Sequence, residues 1–181
     1  AASEGAVRHA CAMGERLEGR AFTREDRQRY RDKVHRCLDV LARMLEEARF
    51  DFDHPLTGME VELNIIERDG RPAMRNDEVL AEIDDPAFVQ ELGRFNLEIN
   101  VPPTALRGDG ATAYESHLRE QLNAANEKAR SVDAGMVMIG ILPTLDESRL
   151  THEAISSNQR YALLDQQLFL ALGEDLEIII K

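Results

Sequence analysis

Three observations in the sequence predict an α+β fold, with helices packed on one face of an antiparallel or mixed sheet. Apolar residues recur at helical spacing from Thr23 to about Ala48. Two short stretches centred on Val61 and Leu97 alternate between apolar and polar residues, and a second helical period runs from Thr112 to about Asp133. The 181 residues suffice for one domain with a real core and are short for two.

In the first segment, Tyr30, Val34, Cys37, Leu38, Leu41, Met44, Leu45 and Ala48 fall on one helical face. Thr23 followed by Asp26 is a weak capping box, and the stretch from Asp53 to Pro55 supplies the break. The period then changes to two. Met59, Val61, Leu63 and Ile65 alternate with Glu60, Glu62 and Asn64, the pattern of a half-buried strand. Asp69-Gly70 can turn the chain, and Asn76 can cap a short helix carrying Val79, Leu80 and Ile83. A second alternating strand sends Phe95, Leu97, Ile99 and Val101 one way and Asn96, Glu98 and Asn100 the other, with Pro102-Pro103 expected to end its pairing.

Thr112 and Glu115 form a capping-box pattern for a helix burying Leu118, Leu122, Ala125, Ala129 and Val132. The apolar run from Met136 to Leu142, ended by Pro143, reads as a strand covered on both faces. A helix from about Arg160 to Leu172 should close at Gly173, and Leu176 to Ile180 reads as a final strand with an exposed edge that would associate with another chain. The expected organisation is a loose arm over residues 1–22, the long helix and its break over 23–54, and a sheet-containing unit over 55–181.

Thirty-four acidic residues against 22 basic ones give a formal net charge of -12, which opposes binding to nucleic acid and to anionic lipid. No apolar run reaches the length of a membrane-spanning helix, so no membrane partner is expected. Cys11 and Cys37 stand alone, without the spacing of a zinc site or a disulfide framework, so a reducing cytoplasm is the expected compartment. The five histidines are scattered and suggest no catalytic triad, and Gly108-Asp109-Gly110 lacks the lysine of a phosphate loop.

Glu60 and Glu62, two residues apart on a pleated strand, project together about 6.6 Å apart. Glu98, between Asn96 and Asn100, sits the same way on the other alternating strand. If both strands share a sheet with apolar faces aligned, three carboxylates share one polar face, an oxygen-donor set suited to Mg²⁺ or Mn²⁺. Antiparallel sheets ordinarily keep one solvated face, so plain solvation is the competing account. The absence of Lys and Arg between the glutamates, and of Thr from these two faces, weakens that account and leaves both open.

Four strings carry a resemblance: GMEVELN at 58–64, ELGRFNLEINVPP at 91–103, ILP within 139–145, and NQRY at 158–161. In this order they resemble the glutamate-cysteine ligase family of carboxylate-amine ligases, relatives of glutamine synthetase in fold. The resemblance covers about Pro55 onward, with the long helix similar to that of bacterial members. It implies a partial glutamine-synthetase-like sheet, divalent metal carried by Glu60, Glu62 and Glu98, and ATP as co-substrate. It also implies Arg160 and Tyr161 on the substrate side, and Asn96 and Asn100 are placed with them. The implied reaction is phosphorylation of a glutamate γ-carboxylate followed by attack of an amine such as that of cysteine. No covalent enzyme intermediate is needed. Family members continue past the point corresponding to Lys181 with a further His, arginines and glutamates, so the expectation is the N-terminal part of a ligase, inactive alone. A non-catalytic acidic interaction or regulatory module is the alternative, and a homo-oligomer is left open.

Overall fold

The computed structural model describes residues 22–50 and 53–172. Helix α1 spans Arg24–Glu46 and starts from the expected capping box: the Thr23 hydroxyl accepts from the Asp26 amide, while the Asp26 carboxylate accepts from the Thr23 amide. These contacts satisfy amides that the first turn leaves without helical partners. The helix is amphipathic as its spacing predicts. None of the helix's residues is buried against the described part of the chain.

Four antiparallel strands form one sheet: β1 (Thr57–Ile66), β2 (Phe88–Gln90), β3 (Asn96–Thr104) and β4 (Gly135–Val137), in the order β2-β3-β1-β4. Helix α2 (Asn76–Ile83) leads into β2, and α3 (Gly110–Ser131) joins β3 to β4. The fold is α+β as the periodicities predict. Leu63, Ile65, Leu97, Ile99 and Phe88 from the sheet pack with Val79 of α2 and with Tyr114, Ala125 and Ala129 of α3 in one core. Burying each large aliphatic side chain stabilises the fold by about 1.5–3 kcal/mol, and small alanines on α3 let that helix approach the strands closely.

Several local expectations are corrected. Asn76 does not cap α2, because its side chain turns into the interior and holds other backbone segments. Pro102 and Pro103 do not end β3, which continues to Thr104 opposite Thr57. Past the Phe88↔Ile99 rung and the Asn100 amide bond to Ala87 O, the outer edge of β3 has left β2. A register shift on the β1 side accommodates the rest, so prolines are tolerated. Helix α3 begins at Gly110, before the Thr112 pattern, and its N-cap Asp109 makes no side-chain capping bond.

Among the described residues, the run from Met136 to Leu142 is not a doubly covered strand. Within this stretch only Gly135–Val137 pair among the described residues, on the side of β1 away from β3, and Met138, Ile139 and Ile141 are exposed. Strand β2 was not foreseen, since three residues are too few to display a period. After two single-turn helices at Glu147–Arg149 and His152–Ala154, helix α4 spans Gln159–Leu172, close to the expected limits. The expected stop at Gly173 and the strand from Leu176 to Ile180 lie outside the described residues, as does the arm apart from Phe22.

Candidate functional site

The register of β1 and β3 decides which side chains share a face. Glu62 stands opposite Glu98, Glu60 opposite Asn100 and Asn64 opposite Asn96, while Val61, Leu63 and Met59 face Ile99, Leu97 and Val101. Directly opposed residues of an antiparallel pair point to the same side. Glu60, Glu62 and Glu98 therefore lie on one face, with the core on the other. Burial increases along β1, from exposed Glu60 and Met59 to buried Leu63, Asn64 and Ile65. Met59 thus has the predicted orientation without the predicted cover.

Glu98 is 9% exposed, far less than either glutamate of β1. Burial lifts its carboxyl above the usual glutamate range. The Asn100 amide, donating to Glu98 Oε1 at 2.9 Å, pulls it down, and the charges of Glu60, Glu91 and Glu62 push it up again. Among the described residues no ion pair offsets Glu60, Glu62 or Glu98. A carboxylate that is partly desolvated and surrounded by like charge is poised to take either a proton or a cation.

The asparagines form a ladder beside it. Asn96 Nδ2 donates to Asn64 Oδ1 at 2.9 Å, and Asn64 Nδ2 donates to Ile139 O at 2.9 Å. Asn96 and Asn100 are accordingly engaged with neighbours on the acidic face. Gly93 packs closely against this ladder: a Cβ there would meet Asn96 Oδ1 at 2.5 Å.

Helix α4 brings Tyr161 to the β2 side of the same region. Its hydroxyl lies in donor range of Gln90 O at 3.2 Å and Glu91 Oε1 at 3.4 Å. Burial, followed by the charge of Glu91, pushes the phenol up to about 12, and the more distant Glu98 acts in the same sense. Arg160 is exposed, and its guanidinium carbon sits 5.9 Å from the centre of the Tyr161 ring. Tyr161 joins the cluster directly, whereas Arg160 stands at its outer side.

Glu91 was not singled out as a site residue. It follows the unforeseen strand β2, so no alternation pointed to its face; Asn64 was legible in the β1 alternation but had no chemistry assigned. Among the described residues, no three His, Cys, Asp or Glu side chains converge closely enough to enclose a metal ion. The three glutamates share a face without converging. Their oxygen chemistry and unbalanced charge suit a hard divalent cation, and the spacing of strand positions leaves their carboxylates apart.

The remaining sequence candidates stay ordinary. The segment from Gly108 to Gly110 is a turn into α3, with Gly108 at a φ of 64°. Among the described residues no helix is long and apolar enough to cross a membrane. No family model, curated protein or solved structure matches this chain.

Proposed function

We propose that this chain carries part of the active site of an ATP- and divalent-metal-dependent carboxylate-amine ligase of the glutamate-cysteine ligase type. The observation that supports the reading best is the β1–β3 register, which sets Glu62 against Glu98 with Glu60 on the same face and no described basic group paired to any of them. Solvated glutamates on an open sheet would have no reason to include one that is nearly covered.

Glu60, Glu62 and Glu98, which share a face without converging on one point, would each offer oxygen ligands to Mg²⁺ or Mn²⁺, and cations there would offset the charge of an ATP polyphosphate. The Asn100 amide fixes one Glu98 oxygen and leaves the other for a ligand. The Asn64–Asn96 pair holds the neighbouring rung in register. Tyr161 stays protonated throughout the physiological range, with its hydroxyl directed at Gln90 O and Glu91 Oε1, while exposed Arg160 can reach a substrate carboxylate. The reaction proposed is γ-phosphorylation of glutamate by ATP and attack of an amino group on the acyl phosphate, in a reducing cytoplasm.

Mn²⁺ binding followed by electron paramagnetic resonance tests the reading. The chain should bind Mn²⁺, and Glu62→Gln should weaken binding by at least about 10-fold, with unchanged circular dichroism. In the native gene product the same substitution should lower Mg·ATP-dependent formation of a γ-glutamyl amide by about 100-fold or more. Equal binding and equal turnover in Glu62→Gln would retire the assignment and favour a non-catalytic acidic module.

A further inference from the structure

Helix α1 exposes an apolar face with heptad spacing. Tyr30, Val34, Cys37, Leu41 and Met44 succeed one another at intervals of four and three, the average of 3.5 that keeps a seam facing a partner helix. Leu38 and Leu45 widen the seam on one side. Leu38 is 55% exposed, Leu41 45% and Leu45 64%, although each would gain from burial. Separately from the ligase reading, we propose that this face pairs with α1 of a second copy of the chain, the two helices running antiparallel.

Charge selects both the partner and the direction. From Arg24 to Arg36 the helix carries six Arg and Lys against three Asp and Glu; from Cys37 to Glu47 it carries one against three. A parallel pair would set like halves together, and an antiparallel pair sets the basic half of each copy beside the acidic half of the other. The residue order supports the same arrangement. With the two-fold axis between Cys37 and Leu38, Tyr30 falls level with Leu45 of the second copy, Val34 with Leu41, and Cys37 with Leu38.

In that register the C-cap residue Glu47 of one copy comes level with Gln28 of the other, one residue before Arg29 and within about 8 Å along the axis of Lys33. Arg29 and Glu47 pair within their own chains with Asp26 and Arg49; the Glu47–Arg49 pair is exposed and yields at little cost, and Asp26, largely covered, keeps its capping bonds to Thr23 when Arg29 turns to a partner. A helix of 23 residues is about 34 Å long, so two of them alone bury less than a typical stable interface. The dimer is therefore weak and concentration-dependent.

Sedimentation velocity and light scattering over a range of micromolar concentrations test the proposal. The chain should shift from monomer to dimer, and Leu41→Glu, at an exposed position away from the core, should weaken association at least 10-fold with unchanged circular dichroism. Glu47→Lys should also weaken it, and adding Arg29→Glu with Lys33→Glu should restore it, which a parallel pair or an interface elsewhere would not do. In a Cys11→Ser background, a short bismaleimide should link Cys37 to Cys37 in the dimer and fail to do so in Leu41→Glu. A chain that stays monomeric, a dimer indifferent to Leu41 and Glu47, or a monomer whose Cys37 is closed to maleimide would overturn the proposal. The last result would mean that the chain's own residues cover the face.

Discussion

Glu98 stands directly across the β1–β3 ladder from Glu62, yet Glu98 is nearly covered and Glu62 is exposed. The rung places two like charges side by side, with Glu60 and Glu91 close enough to add to the repulsion. The Asn100 amide is the one described side chain that relieves Glu98 by hydrogen bonding.

A pH-dependent stability follows from that rung. The folded protein holds the Glu98 proton more tightly than the unfolded chain does, so the group costs stability as pH rises from the ordinary glutamate range through its raised value. Above that value the cost is complete. Glu98→Gln keeps an oxygen for Asn100 and removes the charge, so it should raise Tm at neutral pH. The gain over the parent should shrink and vanish as pH falls below the ordinary glutamate range. Calorimetry at several pH values checks this, and a Tm difference independent of pH would contradict it.

Asn76 should prove the main polar tie between α2 and the segment before α4. Its buried Nδ2 donates to Ser156 Oγ at 2.7 Å, Asn96 O at 3.2 Å and Gly93 O at 3.3 Å. Asn76→Ala leaves these acceptors without that donor and should cost about 1–3 kcal/mol in urea unfolding. Hydrogen exchange should quicken first at the amides of Arg94 and Ser156, which donate to Ala154 O and Leu92 O. Unchanged stability with unchanged exchange would show that the clamp is dispensable.

Tyr161→Phe removes the hydroxyl that reaches Gln90 O and Glu91 Oε1. The expected loss is about 0.5–1.5 kcal/mol, with the aromatic packing kept. In an ultraviolet absorbance titration the parent's ionisation near pH 12 should disappear from the variant. Retention of that step would assign it to another tyrosine.

Long periodic segments were legible because their patterns repeat often enough to outweigh local exceptions. Helix α1 starts from the predicted Thr23–Asp26 box and the apolar series of β3 is buried, while in α3 Ala125 and Ala129 of the expected series are buried, Leu118, Leu122 and Val132 are half-buried, and Tyr114 joins the core from outside the series. Short or context-dependent features were not legible. Strand β2 is only three residues long, and the apolar stretch from Met138 to Ile141 reads like a core strand although no described neighbour covers it. Asn76 looks like a helix cap until the strand that supplies its acceptors is folded beside it.

By itself, the sequence determined which residues of each strand point together, since the pleat alternates whatever the strand pairs with. That is why Glu60 and Glu62, and separately Asn96, Glu98 and Asn100, could be grouped from their spacing alone. Only the tertiary structure decided that the two groups meet, because adjacency of β1 and β3 and a register opposing Glu62 to Glu98 depend on a long-range pairing that a one-residue slip would invert. It also decided that Glu98 is covered, that Glu91 and Tyr161 approach it through β2 and α4, and that the described chain leaves the apolar face of α1 open. Burial and electrostatic repulsion arise between elements distant in sequence, so no local pattern encodes them.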